Sequence, residues 1–328
     1  MDIKKFKFST EVTVTDIYNV ISKNYIFSIT DYFELQREWH NKAYLAFKDL
    51  DKYFILISLV SKTFDSYGEY LIKYNYDEFY SVNEYELKKF NIVDIASELS
   101  MSKETARRKL LELQQTGLII KTKKAVSMKR SAYTLQKPSN LIITMSRFMS
   151  NLSKLLKKSG IVQNEIKSEV FNELIKTNFT QCWNFFLKFQ IQLCSDFKKK
   201  WFKDYESLSI WLMIVYNQNL SLRKKFKNNA IFKENIRDNY LDLLFDLQDT
   251  TGLNAMTISE LTGIPRPTVI RKLTILVNGN FITKDKKGLY QIAKSKEVQE
   301  IDKHRLKNIS KISEMACKFF NSARLIQN

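Results

Sequence analysis

The stretch VDIASELSMSKETARRKLLELQQTGLI, residues 93–119, decides the fold. Its pattern predicts a short helix over residues 94–99, a break, and a second helix that begins after Ser102, because serine is a preferred N-cap residue. Gly117 ends that helix where a left-handed residue is favoured. The second helix has one buried stripe at helical spacing, made of Ala106, Leu110 and Leu113. The stretch therefore predicts a helix-turn-helix.

A β-hairpin is expected to follow the second helix. Residues 118–120 are apolar and predict its first strand, and residues 132–135 (AYTL) predict its returning strand. The lysine-rich segment 121–130 between them is expected to form the exposed tip. Helix, turn, helix and basic hairpin in this order indicate a winged helix-turn-helix, and residues 93–136 are called the first module.

The same pattern occurs a second time in ISELTGIPRPTVIRKLTILVNGNFI, residues 258–282. The two stretches align without a gap when Thr105 is matched to Thr268, and their apolar positions then coincide. Gly117 falls on Asn280, and asparagine is the other residue type that tolerates a left-handed backbone. The sequence therefore predicts two copies of one structural unit.

A second hairpin is predicted over residues 281–293, with residues 286–288 (KKG) at its tip, and residues 256–293 are called the second module. Both modules resemble the winged-helix regulators of bacteria. The first is similar to the Crp and MarR groups, and ELTGIPRPTVIRKL (260–273) is similar to the IclR group. This resemblance covers about a quarter of the chain. It implies a DNA-binding module without identifying a particular regulator.

Composition bounds the class of protein. A chain of 328 residues fits two compact units, and only 7 Gly and 3 Pro favour a mainly helical fold. The 3 cysteines are widely spaced, which argues against a disulfide framework and fits a reducing compartment. No apolar run reaches the length of a membrane span, and the first residues lack the apolar core of a secretory signal. We therefore expect a cytoplasmic, nucleoid-associated protein with no membrane partner.

The net charge of +18 is concentrated in the two modules. Residues 97–136 hold nine Lys and Arg against three Glu, and residues 258–296 hold eight against one Glu and one Asp. Each stretch is therefore +6, and together they supply 12 of the 18 charges. Such clustering is typical of surfaces that face a polyanion, since a charge that serves only solubility would be spread more evenly.

Long helices are expected to flank the modules. The pattern is helical from Tyr32 to about Tyr67, whereas residues 68–90 have no clear period and are interpreted as a connection. Residues 1–31 are interpreted as an N-terminal extension that contributes a short strand or helix. Apolar positions step by three and four along residues 140–158 and 297–326, which predicts two seam helices that pack along other helices.

The two halves of the chain, 32–160 and 161–328, are expected to be tandem copies. FKDLDKYFILISLV (47–60) matches FKDYESLSIWLMIV (202–215), although the scarcity of identities outside FKD leaves chance similarity open. Each half resembles one MarR-like protomer in length and layout, and in that family the flanking helices form the dimer interface. The resemblance implies a mainly α fold with small β-hairpin wings, namely a fused MarR-like pseudo-dimer. The chain would then be a monomer with internal pseudo-two-fold symmetry.

Contacts to base edges are expected from the early, outward-facing positions of the second helix of each module, which helix-turn-helix proteins place in the major groove. In the first module the candidates are Ser102, Lys103, Glu104, Thr105, Arg107 and Arg108. In the second module they are Arg266, Pro267, Thr268, Ile270 and Arg271. Phosphate contacts are expected from the wing residues Lys123, Lys124, Lys129, Arg130, Lys286 and Lys287. For each single wing cation, simple solvation is an alternative; for the less basic second module, a packing role is one.

Motifs for catalysis or cofactor binding are absent from the sequence, which has no P-loop, dinucleotide fingerprint, zinc-ligand spacing or nucleophile elbow. We expect no enzymatic activity, no cofactor and no metal, because His40 and His304 are too isolated to form a site. Cys182 is expected to be a buried, inert thiol, the alternative being a redox sensor. The aromatic run 183–189 is expected to be core, the alternative being the lining of a pocket for an unidentified small-molecule effector.

The expected function is sequence-specific binding of double-stranded DNA by a transcription regulator whose single chain reads two unlike half-sites. Two alternatives stay open. A plasmid or phage replication initiator can also have two winged domains on one chain, and binds tandem repeats at an origin. A winged-helix scaffold would use the same folds to bind protein.

Overall fold

The computed structural model describes residues 11–122, 125–135, 137–228, 239–247 and 252–327, and side chains throughout these ranges except at 227–228 and 324–327. The described residues are mainly helical and contain small antiparallel sheets, as expected. The helices are α1 (Val14–Lys23), α2 (Tyr25–Phe47), α3 (Leu50–Glu69), α4 (Tyr76–Ser81), α5 (Ile92–Glu98), α6 (Lys103–Gln115), α7 (Arg130–Thr134), α8 (Ser139–Lys158), α9 (Ser168–Thr177), α10 (Phe179–Phe197), α11 (Tyr205–Asn228), α12 (Tyr240–Phe245), α13 (Ala255–Thr262), α14 (Arg266–Asn278), α15 (Lys296–Lys303) and α16 (Arg305–Gln327), with a π-helical turn at Lys198–Phe202. The strands are β1 (Glu84–Leu87), β2 (Ile119–Lys121), β3 (Val126–Lys129), β4 (Ile282–Lys284) and β5 (Tyr290–Ile292).

When α1 is counted with the first half of the chain, an asparagine separates the first two helices of each half. Asn24 lies between α1 and α2, and Asn178 lies between α9 and α10. Their backbone angles are nearly equal, with φ −113° and ψ 35° at Asn24, and φ −110° and ψ 45° at Asn178. Each side-chain amide donates a hydrogen bond to the carbonyl four residues earlier, at 3.0 and 3.4 Å. The same local signal therefore interrupts the helix in both places.

The tripeptide FKD ends one helix and caps the next in both halves. Lys48 and Lys203 are left-handed, with φ of 54° and 61°, so each stops the preceding helical segment. Asp49 and Asp204 follow, and each carboxylate accepts a hydrogen bond from the backbone amide three residues later, at 3.1 and 2.8 Å. The identity between residues 47–49 and 202–204 thus has a structural reason.

The long helices pack crosswise between the two halves. Helix α1 packs against α16 and α9 packs against α8, while α2 packs against α11 and α10 packs against α3. The buried apolar side chains of the described residues form one cluster. Trp39 of α2, for example, meets Phe54 of α3 and Phe186 of α10 edge-on, with ring centroids 5.6 and 6.0 Å apart. The core therefore runs through both halves.

The elements of the two modules follow one another in the same order. Helices α4, α5 and α6 and strands β1 to β3 occupy the first half, and α12, α13, α14, β4 and β5 occupy the second. Strand β3 pairs with both β2 and β1, and β5 pairs with β4 and through Tyr290 with Leu253. Leu253 thus takes the place in the second sheet that β1 takes in the first.

The returning strand of the first hairpin was predicted in the wrong place. Strand β3 is Val126–Lys129, and residues 132–135 lie in and just after the short helix α7. Ala132 and Tyr133 are adjacent and both buried, which a strand with one solvent face would not allow. The hydroxyl of Tyr133 donates to the carbonyl of Val82 and its ring packs on an aromatic cluster, so tertiary contacts determine this segment.

Other boundaries also differ from those expected. The helix expected from Tyr32 starts at Tyr25, and the range 1–31 contains α1 as well. The connection 68–90 contains α4, with a capping box at Asn75, and strand β1. The seam 297–326 is two helices that meet at His304, whereas the seam 140–158 is the one helix α8. Among the described residues, the model contains no helix with the length and apolar character of a membrane span.

Candidate nucleic-acid interface

The turn of the first module is built as the sequence predicts at its key positions. Ser100 is left-handed, with φ of 50°, and ends α5. The hydroxyl of Ser102 accepts a hydrogen bond from the amide of Thr105 at 3.0 Å, which caps α6. Gly117 has φ of 70° after the end of α6. The predicted stripe is buried and consists of Ala106, Leu110 and Leu113.

The opposite face of α6 is exposed to solvent. Ser102, Lys103, Glu104, Arg107 and Arg108 are exposed, and Thr105 is half-buried. Arg107 Nη2 lies 3.2 Å from Glu104 Oε1, but the two side chains are 61% and 77% exposed, so the pair contributes little to stability. These side chains are therefore free of the core and accessible to a ligand.

Lys109 differs from the other cations of α6 because it is part of the fold. Its Nζ lies 2.6 Å from Asp49 Oδ2, at the N-terminus of α3, and 3.4 Å from Glu112 Oε2. Burial disfavours the charged form of Lys109, but its hydrogen bond to Asp49 and the nearby carboxylates outweigh that cost and raise its pKa. Lys109 holds α6 against α3.

The second module presents a similar exposed face on α14. Asn254 caps α13, Gly263 is left-handed with φ of 73°, and Pro265 precedes α14. The exposed residues of α14 include Arg266, Pro267, Ile270 and Arg271, with Thr268 half-buried. Ile270 is 44% exposed, which places an apolar side chain among cations. This face is less basic than that of α6.

Lys272 has the same role in the second module as Lys109 in the first. Its Nζ lies 2.8 Å from Asp204 Oδ1, and its side chain is 12% exposed against 14% for Lys109. Sequence reasoning missed this pair of contacts. The signal was present, since FKD occurs in both halves and the ungapped alignment matches Lys109 to Lys272.

Of the four cations predicted for the first hairpin, the structure describes Lys129 and Arg130. Lys123 and Lys124 lie outside the described residues. Thr122 and Ala125 flank the tip, and the amide of Thr122 donates a hydrogen bond to the carbonyl of Ala125, with a nitrogen–oxygen distance of 2.8 Å. Lys129 ends β3 opposite Glu84, and Arg130 begins α7. These last two residues are exposed but lie at the base of the hairpin, not at its tip.

The second hairpin has its lysines at the tip, as expected. Asp285 Oδ1 accepts hydrogen bonds from the amides of Lys287 and Leu289, both at 2.8 Å, and Gly288 is left-handed with φ of 80°. Lys286 and Lys287 are both exposed. The aspartate therefore shapes a turn that projects two cations.

The buried cysteine and the aromatic run lie in the core. Cys182 is buried, and burial raises the pKa of its thiol to about 12. Trp183 and Leu187 line a cavity of about 50 Å³, and a larger cavity of about 90 Å³ lies between α2, α11 and α16. The expectation of a small-molecule effector stays a prediction. Among the described residues, no group of three or more His, Cys, Asp or Glu is placed to hold a metal ion.

Comparisons with protein-family models, with curated proteins and with solved structures found no match to this chain. A function for this chain is therefore inferred from its own residues and their geometry. That geometry comprises two helix faces with exposed cations, on helices that each place a lysine against the N-cap aspartate of a long helix and that are each followed by a hairpin.

Proposed function

We propose that the protein is a sequence-specific, double-stranded DNA-binding transcription regulator, built as a fused MarR-like pseudo-dimer with two winged helix-turn-helix modules. Helices α6 and α14 are its recognition helices. The observation that carries the proposal is the basic face that occurs in both modules. In each module this face is exposed on a helix whose opposite stripe is buried. The seventh residue of each helix, Lys109 or Lys272, pairs with Asp49 or Asp204.

Matching left-handed residues support the relation between the modules. Ser100 and Gly263 occupy aligned positions with φ of 50° and 73°, and Gly117 and Asn280 do so with φ of 70° and 57°. A left-handed residue other than glycine is uncommon, so two coincidences in an ungapped alignment of this length argue against chance. The same backbone path is thus supported by two different sets of residues.

Crosswise packing supports the fused pseudo-dimer. The largest contacts between long helices of the two halves have counterparts, since α1 on α16 corresponds to α9 on α8, and α2 on α11 corresponds to α10 on α3. A two-fold interface brings the same surface of two subunits together, so its contacts occur in such reciprocal pairs. These reciprocal pairs support the proposal that the two halves correspond to two subunits of a homodimer.

The chemistry of the exposed residues fits DNA. Lys103, Arg107 and Arg108 suit the acceptors of guanine in the major groove, and Glu104 can accept from cytosine. Arg266, Arg271 and Ile270 offer two cations and an apolar contact for the methyl group of thymine. The wing lysines suit phosphate, which positions the protein without reading sequence.

The test is selection from a randomised duplex library, followed by affinity measurements over a range of salt concentrations. We expect one enriched sequence, with affinity that falls as salt rises. The double variant Lys103→Ala/Arg108→Ala should bind the selected duplex at least about tenfold more weakly. The control Lys157→Ala/Lys158→Ala removes the same charge from exposed positions at the end of α8 and should bind like wild type.

Equal affinity for all sequences would contradict sequence-specific binding, and the absence of salt-sensitive binding to duplex DNA would favour the protein-interaction scaffold. Footprinting on genomic fragments distinguishes the remaining alternative. A regulator should protect a site at a promoter, whereas a replication initiator should protect a cluster of direct repeats.

A further inference from the structure

Each helix-turn-helix is held at its turn by a side chain from the opposite half of the chain. Tyr205 of α11 donates its hydroxyl hydrogen to the carbonyl of Leu99, at the end of α5, with an oxygen–oxygen distance of 3.0 Å. Asn41 of α2 donates from Nδ2 to the carbonyl of Leu261, in the last turn of α13, at 2.8 Å. The last carbonyls of a helix lack partners within it, so each bond satisfies such a group.

Tyr205 is fully buried and fixed on every side. Its hydroxyl oxygen lies 3.2 Å from Ser195 Oγ, which donates because the tyrosine's own hydrogen goes to Leu99. Its ring stacks on Phe54 with centroids 3.7 Å apart, and Lys198 Nζ lies 4.2 Å from the ring centroid. Because four neighbours hold this side chain, it can fix the position of the end of α5 relative to α11 as well as fill space.

The second turn presses closely on α2. Gly263 approaches this helix so tightly that a Cβ atom there would lie 2.8 Å from Leu45 Cδ2. Leu45 lies one helical turn after Asn41, so two successive turns of α2 contact the end of α13. The second module is therefore fitted against the first half, as the first module is against α11.

One bond joins the N-termini of α3 and α11, and a second joins the N-terminus of α3 to the π-helical turn at Lys198–Phe202. The amide of Leu50 donates to Glu206 Oε1 at 3.2 Å, and Lys198 Nζ lies 2.9 Å from Asp51 Oδ1. Asp49, which pairs with Lys109 of α6, lies one residue before Leu50, and Asp204, which pairs with Lys272 of α14, lies two residues before Glu206. A continuous path of hydrogen bonds, ion pairs and short backbone segments thus connects α6 to α14.

We propose that Tyr205, Asn41 and Glu206 are positioning residues that fix the separation and orientation of the two recognition helices, and so restrict tight binding to duplexes with one spacing between half-sites. The inference rests on the proposed function, in which both modules read one duplex. Each added base pair moves the second half-site by about 3.4 Å and rotates it by about a tenth of a turn. Two helices held at a fixed separation and orientation can contact both half-sites after such a change only if the DNA is deformed.

The test is a series of duplexes in which the spacer of the selected site is lengthened or shortened by one to five base pairs. Wild-type protein should show one optimum and bind at least about tenfold more weakly when one base pair is added or removed. The double variant Tyr205→Phe/Asn41→Ala should bind these neighbouring spacers within about threefold of each other. Its affinity for an isolated half-site should stay at the wild-type value.

Two control variants remove similar groups elsewhere. Tyr32→Phe deletes a buried hydroxyl that has no hydrogen-bond partner among the described residues. Asn151→Ala deletes an amide that bonds Asp31 at 2.8 Å, away from both turns. Both should retain the sharp spacing profile of the wild type. Thermal unfolding of all variants without DNA verifies that each one folds.

A second measurement needs no DNA. Leu111 and Thr274 are exposed at matching positions on α6 and α14, so Leu111→Cys and Thr274→Cys can carry spin labels, with Cys317→Ser as background. We expect a single narrow distance distribution between the labels, which broadens in the Tyr205→Phe/Asn41→Ala protein but not in the controls. An equally narrow distance distribution in the Tyr205→Phe/Asn41→Ala protein would overturn the positioning role.

The outcomes separate the inference from the proposed function. Sequence-specific binding of single half-sites with a flat spacing profile in the wild type would overturn the inference and leave the proposed function standing. A sharp profile that survives Tyr205→Phe/Asn41→Ala would do the same. Absence of sequence-specific duplex binding would overturn both.

Discussion

His40 lies in the middle of α2 and is only 2% exposed, with its Nε2 3.8 Å from the Sγ of Cys194. Burial lowers the pKa of this histidine to about 3, so the ring is neutral in the folded protein. The unfolded chain takes up a proton there below about pH 6.5. Stability from this difference is therefore complete above that pH and is lost as the pH falls towards 3.

We predict that protonation of His40 in the unfolded chain lowers the free energy of unfolding by about 1.4 kcal/mol for each unit by which the pH falls between about pH 6 and pH 4. Urea denaturation of wild type and His40→Gln at several pH values measures it, and the variant should lose this part of the slope. His304→Gln is the control, because that ring is partly exposed beside Trp201. Parallel pH profiles for wild type and His40→Gln would contradict the prediction.

A second prediction at the residue scale concerns the aspartates that pair with Lys109 of α6 and Lys272 of α14. Asp49→Ala removes the N-cap of α3 and the ion pair with Lys109, and Asp204→Ala removes the matching contacts of Lys272. Each should lower the free energy of unfolding by about 1–2 kcal/mol, because a cap and a partly buried pair are lost together. Chemical denaturation measures the loss.

Glu104→Ala serves as the control for the aspartates, since it deletes an exposed ion pair and should change stability by less than about 0.5 kcal/mol. Asp49→Asn keeps a capping oxygen without the charge and should fall between the two. If Asp49→Ala and Glu104→Ala were equally stable, the cap and ion pair would have no structural role.

At the scale of the element, the wing of the first module is expected to bind phosphate. Lys123→Ala and Lys124→Ala together should reduce the salt dependence of DNA affinity by up to about 1.8 log units per log unit of salt, since each neutralised phosphate contributes about 0.9. All sequences should be weakened about equally. Titrations at several salt concentrations measure the slope, with Lys157→Ala/Lys158→Ala as control. An unchanged slope would remove this wing from the interface.

Helices α6 and α14 were predictable because their signals are local. Ser102 caps α6 and Gly117 ends its C-terminal turn, and both act within a few residues of their own position. The role of Asp49 was not predictable in the same way. It depends on Lys109, 60 residues further along the chain, and only the fold brings the two together.

The wing and the strand beside it show the same contrast between local signals and contacts that are distant in sequence. Residues 132–135 were predicted to form a strand, but Tyr133 packs with Phe79 and Tyr85, and this cluster fixes a helix there. Strand β1 has a four-residue pattern too short to recognise and exists because it pairs with β3. Local chemistry thus predicts the helix caps, whereas sheet pairing depends on contacts distant in sequence.

At the scale of the whole molecule, the crosswise helix packing predicts the oligomeric state. The apolar faces of α8 and α16 are buried against α9 and α1 of the same chain. We therefore expect a monomer, with a mass near 38.8 kDa by light scattering at low micromolar concentration. A stable dimer under these conditions would mean that intermolecular contacts replace or extend those within the chain.

If the proposed function is right, helices α6 and α14 need not read the same bases. In the alignment Glu104 corresponds to Pro267, and Arg107 corresponds to Ile270. Both positions exchange a charged group for an apolar one, and all four side chains are exposed. A homodimer has identical helices and a palindromic site, whereas this chain presents a charged face and a partly apolar one.

We predict a non-palindromic site with two unlike half-sites about one helical turn apart, the second richer in A·T pairs because Ile270 favours thymine methyl groups. Arg108→Ala should cost roughly 1–3 kcal/mol and relax sequence preference in one half-site, and Arg271→Ala should do so in the other. Randomised-site selection with wild type and both variants measures this. A symmetric preferred sequence, or relaxation of the same bases by both variants, would contradict two separate reading helices. If Arg271→Ala changed nothing, the second module would instead support a single recognition helix by packing.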